Sequence, residues 1–497
     1  MRKVIEEQMQ LGAVDISKIQ FDLKSRDEIP PLLRGLQYIY CTDKIRLEVF
    51  TLLESHIKLS KTGRRGMDLW AILVLGAVRL NCNWDYDKLK EMVDNHQTIR
   101  QLLGHSPFDT EQLYPLQTLK DNVSLLTPGL LEKINNIVVN AGHELVKKKD
   151  NELRARCDSF VVETNVHYPT DINLLWDVIR KVTILIMALC NDNDISGWRQ
   201  GMSQLYKFKK IFRQCQKVKK STSKDPEKKK NKEKKNKQTH GACIEKAMEI
   251  LNRAIYTLEQ IAIANPDEQH KIEAIKTFIN DGIHQCDLIR RRVLNNEKIP
   301  HCDKIHSIFE RYTEWICKGK AGISQELGKR VCIIEDQYGF VLHHEVMNKV
   351  GDKDMVVTFI KQAVKLFPNL KSCSFDKGYW SPENKEALEK IIDVALPRKG
   401  ALSKKGAEYE HSPEFIEAAK KHSAVESCIN ALENHGLDRC PDKGEHNFNR
   451  YISLAILARN IQQLGTVIIK QENQKQKHSA KIKAALRRRQ AELALAS

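Results

Sequence analysis

The chain has 497 residues, of which 41% are apolar and 29% charged, enough for about two to four domains with a sizeable core and no need of small-protein staples. Its 81 Lys and Arg outweigh 64 Asp and Glu, and the resulting charge of +17 with a pI near 9.2 selects a polyanionic partner, nucleic acid first. Its 13 cysteines form no C-x-x-C pair, which excludes a secreted disulfide framework and reads as reduced, mostly buried thiols of a cytosolic protein. Cys428, His435, Cys440 and His446 have gaps that do not match paired zinc knuckles, so they read as core and loop residues. The opening MRKVIEEQMQLGAVDIS lacks a leader-length apolar stretch, and the best apolar run, Val182 to Cys190, is too short for a membrane span. The expected setting is the cytoplasm, with no membrane partner.

In chain order, residues 1–150 are expected to form a helical bundle. Met67 to Leu80 is strongly apolar, Asp85 to His96 opens on an acidic cap, and further helix-like runs are punctuated by Gly or Pro. Basic residues along it, Arg64 and Arg65 among them, suit a helix presented to a DNA groove, and a plain packing domain is the alternative. Leu153 to Glu163 alternates and carries β-branched residues, so it reads as a strand holding Asp158. Long helical runs follow, from Leu174 to about Lys219 and from about Cys243 to Asn296. Between them Lys217 to Lys237 is so lysine-rich that a flexible, solvated loop is expected, with phosphate contact as its sharper role.

Strands resume with KRVCIIED and GFVLHHEVM, a hairpin about Gln337-Tyr338-Gly339, followed by an amphipathic helix from Asp354 to Leu366. Next come a strand, LKSCSFD, ending at Asp376; a helix from Pro382 to Lys390; a strand, IIDVALP; and a basic loop with Arg398, Lys399, Lys404 and Lys405. A helix from Pro413 to about Asn434 carries Glu426, an apolar helix spans Phe448 to Gly465, and a basic tail starts at Lys470. The fold class is therefore α/β and α-rich, a mixed five-stranded sheet flanked by helices.

Three acids stand out. Asp158, between Cys157 and SFVV, would be costly to bury without a cation, although a strand-end acid is the plain alternative. Asp376 precedes Lys377-Gly378, where a turn former is the plain alternative. Glu426 lies roughly 60° around its helix from Ile429, at the edge of a stripe of Val425, Ile429 and Leu432, so it can point toward the sheet. Glu163 and Asp171 are rivals for the first position. Hard carboxylate oxygens in such a set suit Mg²⁺ or Mn²⁺.

These frames, DSFVVETNVHYPTD, FDKGYWS and HSAVESCINALENHGLDRC, together with SIFERYTEWICKGKAGISQELGKRV, FNRYISLAILARNIQQLG and the earlier GRRGMDLWAILVLGAVRL, resemble a DDE transposase of bacterial insertion sequences over about residues 60 to 465. The resemblance implies an RNase H-like catalytic domain with a helical insertion after its first strand. It implies Asp158, Asp376 and Glu426 as catalytic and metal-binding residues, on the first strand, the fourth strand and the helix after the fifth. Two Mg²⁺ or Mn²⁺ ions per site are implied, with cleavage and strand transfer of double-stranded DNA at terminal inverted repeats and target DNA. A homodimer or larger assembly would hold two ends. The implied plan is 1–150 end-binding; 151–171 with 305–440 catalytic; 172–304 insertion; 441–497 terminal helix and tail. Backbone contacts fall to Arg398, Lys399, Lys404, His422, Arg64 and Arg65. Where related enzymes often carry Tyr, Arg and Lys around the Glu, this chain has Ala419, His422 and Glu433, so the alternative is an inactive or repurposed DNA-binding protein derived from a transposase.

Overall fold

The alternating run LRARCDSFVVET forms strand β1 (Leu153–Thr164) in a computed structural model that describes residues 2–5, 11–22, 24–57, 66–109, 111–146, 152–220, 225–317, 325–401 and 404–496. By contacts the chain divides into two units, one of Met1–Asn165 with Ile316–Ser497, the other of Val166–Trp315.

In the first unit the helices before β1 are α1 (Ile29–Cys41), α2 (Asp43–His56), α3 (Leu69–Asn81), α4 (Tyr86–Asn95), α5 (Gln97–Leu102), α6 (Leu116–Val123) and α7 (Pro128–Val146). They share this unit with the sheet. The second unit holds α8 (Asp171–Asp192), α9 (Gly201–Lys220), α10 (Pro226–Ala264) and α11 (Gln269–Ile289) around their own apolar core. The remaining strands are β2 (Glu314–Cys317), β3 (Gln325–Asp336), β4 (Val341–Val346), β5 (Leu370–Phe375), β6 (Asp393–Ala395) and β7 (Arg439–Cys440). Interleaved with or following them are α12 (Asp352–Leu366), α13 (Pro382–Glu389), α14 (Lys404–Glu410), α15 (Pro413–His422), α16 (Ala424–Leu432) and α17 (Glu445–Ala496).

The sheet is mixed, with order β2-β3-β1-β5-β6, β4 also pairing with β3 and β7 with β1. One edge of β1 runs antiparallel to β3, from Ala155 opposite Asp336 to Glu163 opposite Gly328. Its other edge is parallel first to β5 and then, at Glu163 and Thr164, to β7. β6 continues parallel beyond β5, and β4 is antiparallel to β3. The described residues thus hold seven strands rather than the five expected, because β2 and β7 are too short to show a period of two.

Three helical expectations are corrected. The run from Leu174 to Lys219 is two helices, α8 and α9, separated where Asp194 takes φ 55°. The helix from Pro413 to Asn434 is also two, α15 and α16, broken at Ser423. The lysine-rich segment is helical from Pro226 onward: Asp225 caps α10 by accepting from the Glu227 N–H at 3.0 Å, Pro226 stands in the first turn, and the helix extends outward from a buried stretch.

α17 provides the longest apolar surface. A window within it is long and apolar enough to cross a membrane, unlike the shorter Val182–Cys190 run, but 72% of that window is buried inside the fold. It is a core helix, packed against α1, α3 and α7. The crossing with α1 is close enough that a Cβ on Gly35 would meet the Ile461 carbonyl oxygen at 2.1 Å and one on Gly465 the Pro31 oxygen at 1.8 Å. α3 is buried along its whole length, including Arg79. That guanidinium pairs with Asp442 at 3.0 Å and lies 4.0 Å from the Tyr86 ring centroid, and Asp442 also accepts from Arg450 at 3.1 Å. Paired through Asp442 and stacked on Tyr86, the buried charges join α3 to the start of α17.

Because only backbone atoms oppose the missing methyl, Gly465→Ala is expected to destabilise the protein by about 3 kcal/mol in urea unfolding, through forced separation of the helices. Gly129→Ala, with nothing within 4 Å of the new Cβ, is expected to leave stability unchanged or slightly raised.

Candidate active site

The parallel ladder between β1 and β5 sets Cys157 beside Phe375, both buried. Side chains alternate along a strand, so the next residues, Asp158 and Asp376, emerge together on the opposite face where β5 ends. Asp376 begins the turn after the strand and accepts from the Lys377 N–H at 2.7 Å. Asp158 accepts from the Ser159 N–H at 2.7 Å.

Glu426 comes from the first turn of α16, which packs on β1. Val425, Cys428 and Leu432 are the buried stripe, so Cys428 takes the place expected of half-buried Ile429, and Glu426 is exposed beside it. The turn after α16, in which Gly436 adopts φ 94°, is pinned from two sides: His435 bonds the Asn81 carbonyl of α3, and the Tyr451 hydroxyl of α17 donates to the Gly436 carbonyl at 3.2 Å. A Cβ at Gly436 would stand 2.6 Å from that hydroxyl.

A fourth acid, Asp352, was not singled out in the sequence; its charge reaches Asp158, although Ser159, from which it accepts, alternates onto the Cys157 face of β1. It is the first residue of α12, where an acid reads as a helix-dipole residue. Its carboxylate instead accepts from the Ser159 hydroxyl at 2.7 Å and lies 3.5 Å from the Arg330 guanidinium. The DKD start of the helix was the only local signal, and it is shared with ordinary helix N-termini.

Electrostatics tie the four together. Burial raises the Asp158 carboxyl to about 6 from an ordinary 3.8; the Ser159 N–H opposes this, and the charges of Asp376, Asp352 and Glu426 add to it. Among the described residues Asp158, Asp376 and Glu426 have no cationic side chain within ion-pair distance, and no three of the acids close on a single point. His422, the last residue of α15, shares a 3.0 Å hydrogen bond through Nδ1 with the Ser374 hydroxyl of β5. Burial lowers its pKa, against the nearby charges of Asp376 and Glu426, so the imidazole is neutral near pH 7. Behind the acids, on the opposite face of the sheet, Cys157 and Cys332 approach at 3.5 Å, and burial pushes the Cys157 and Cys373 thiols well up.

Of the other expected contact residues, Arg398 is half-buried, its N–H bonded to Glu410 at 2.7 Å and its guanidinium 5.4 Å from the Trp380 ring centroid. Lys399 and Lys404 are exposed. Arg64 and Arg65 lie outside the described residues. Asp171 pairs with Arg292 at 2.6 Å within the second unit. Cys428, His435 and Cys440 are buried core residues and His446 is exposed.

Carboxylate oxygens are the donor type that a hard divalent ion takes. No protein-family profile, curated protein or solved structure matches the chain.

A raised carboxyl favours the neutral fold, so the stabilisation from protonated Asp158 is complete below pH 3.8 and lost as pH rises through about 6. In chelator, Asp158→Asn is therefore expected to melt above the wild type at pH 7.5, by up to about 3 kcal/mol, with the difference closing toward pH 4. Thermal melts across that range check it. Added Mn²⁺ should raise the wild type at pH 7.5 more than the variant.

Proposed function

We propose that the chain is a DDE transposase whose RNase H-like catalytic domain cleaves and joins DNA strands. The observation that carries this reading is that acids from β1, the end of β5 and the first turn of α16, far apart in sequence, share one electrostatic site. The finer fold assignment is supported by a mixed sheet whose first strand lies between an antiparallel neighbour and two successive parallel strands. The second Asp stands beside the first, and the Glu lies on a helix after the last of those strands.

Asp158, Asp376 and Glu426 would hold two Mg²⁺ or Mn²⁺ ions, which supply Lewis acidity to a phosphodiester and lower the pKa of water. The chain's own part is placement. The Ser159 N–H fixes one oxygen of Asp158, and its hydroxyl, held by Asp352, keeps that segment of β1 oriented. His422, neutral and bonded to Ser374, adds a polar group to the site without a competing charge. Arg398, Lys399 and Lys404 follow β6 and would bind backbone phosphates. Hydrolysis would free a 3′-hydroxyl at an element's end, and attack by that hydroxyl on target DNA would exchange one phosphodiester for another. Two ends must be held together, which calls for a dimer or larger assembly.

With a supercoiled plasmid carrying the reading frame and its flanking DNA, Asp376→Asn and Glu426→Gln are each expected to lower Mg²⁺-dependent nicking at least about 1000-fold, some 4 kcal/mol of barrier. Gel-shift affinity in chelator should stay within about twofold for either change. Wild-type protein that binds duplex and never nicks it would favour the repurposed DNA-binding protein. Nicking that survives both substitutions would remove the assignment.

A further inference from the structure

Outside the acidic site, α9 is a 20-residue helix, GMSQLYKFKKIFRQCQKVKK, without a single Asp or Glu. Its apolar face is already used: Leu205, Phe208, Phe212 and Cys215 are buried in the core of the second unit. On the other side Tyr206, Lys210, Arg213 and Lys217 recur at helical spacing within about 60° of arc, flanked by Lys207, and all are exposed. Among the described residues none of these four cations has an acidic partner. Some other cations of the same unit are paired, such as Lys246 with Glu249 at 2.6 Å and Lys271 with Glu268 at 3.0 Å. The Lys210 ammonium sits 4.8 Å from the Tyr206 ring centroid, which keeps the stripe ordered at one end.

We infer that the exposed face of α9 is a docking surface for the phosphate backbone of duplex nucleic acid, a partner whose choice rests on the function proposed above. Lys207 to Lys217 spans about 15 Å at 1.5 Å per residue, and a duplex presents a phosphate about every 1.7 Å along its axis, so each cation finds one whatever the base sequence. Membrane insertion is disfavoured because an amphipathic helix needs a free apolar face, and this one is already in the core. The lysines of α10 from Lys228 onward extend the same charge.

The test is the salt dependence of full-length protein binding to a duplex of unrelated sequence, in chelator, so that cleavage plays no part. For K207Q/K210Q/R213Q/K217Q the slope of log affinity against log salt should fall in magnitude by about 3.5, with unchanged melting temperature. The charge-preserving K207R/K210R/R213K/K217R should keep the wild-type slope, which separates charge from any damage to folding. K246Q/K271Q/K276Q/R291Q removes as many cations, each paired with an acid, and should change the slope by less than about 1. An unchanged slope in the first variant, or equal losses in the first and third, would overturn the inference. So would loss of binding to phosphatidylserine vesicles with duplex binding intact. Absence of metal-dependent nicking would count against the proposed reaction alone, and an unchanged slope with nicking intact against this surface alone.

Discussion

The register between β1 and β5 is the constraint on which the site depends. With Cys157 and Phe375 buried side by side, Asp158 and Asp376 have no choice but to emerge as neighbours. A slip of β5 by one residue would turn Asp376 toward the core and Phe375 out to solvent, leaving Asp158 without its neighbour, which costs far more than the ladder gains. The same packing that stabilises the sheet therefore concentrates negative charge at the end of β5. Burial and the three neighbouring acids then act in one direction on Asp158.

The helix bearing Glu426 is placed by a different part of the molecule. α16 is short, and the turn after it is held by α3 through Asn81 and by α17 through Tyr451. Those two helices are joined in turn by the buried Arg79, Asp442 and Arg450 cluster. The all-helical region before β1 thus supports the acidic site through packing, whatever else its surface does.

Much of this was legible in the sequence. Alternation gave β1, the Gln337-Tyr338-Gly339 turn gave the hairpin of β3 and β4, an amphipathic pattern gave α12 and a proline start gave α13. The three acids could be named because each occupies a distinct local frame. What stayed hidden was set by tertiary contacts. β7 is two residues long and exists only because Glu163 and Thr164 offer it a parallel edge. The break at Ser423 carries neither Gly nor Pro, and its φ of −55° and ψ of −20° are nearly helical. Asp352 is tied to β1 through Ser159, a residue nearly two hundred positions away, and no window of sequence contains both. The lysine run read as a loop because its repulsion was weighed without the cap at Asp225 and the buried stretch of α10 that follows it.

The thiols beneath the acids give the sheet a built-in clock. Cys157 immediately precedes Asp158, is fully enclosed, and its thiol is held far from ionisation, so alkylating reagents reach it only when the strand parts from its neighbours. Its labelling rate, set against that of exposed Cys41 and Cys302, measures how often this edge of the sheet opens, without a reporter group having to be introduced.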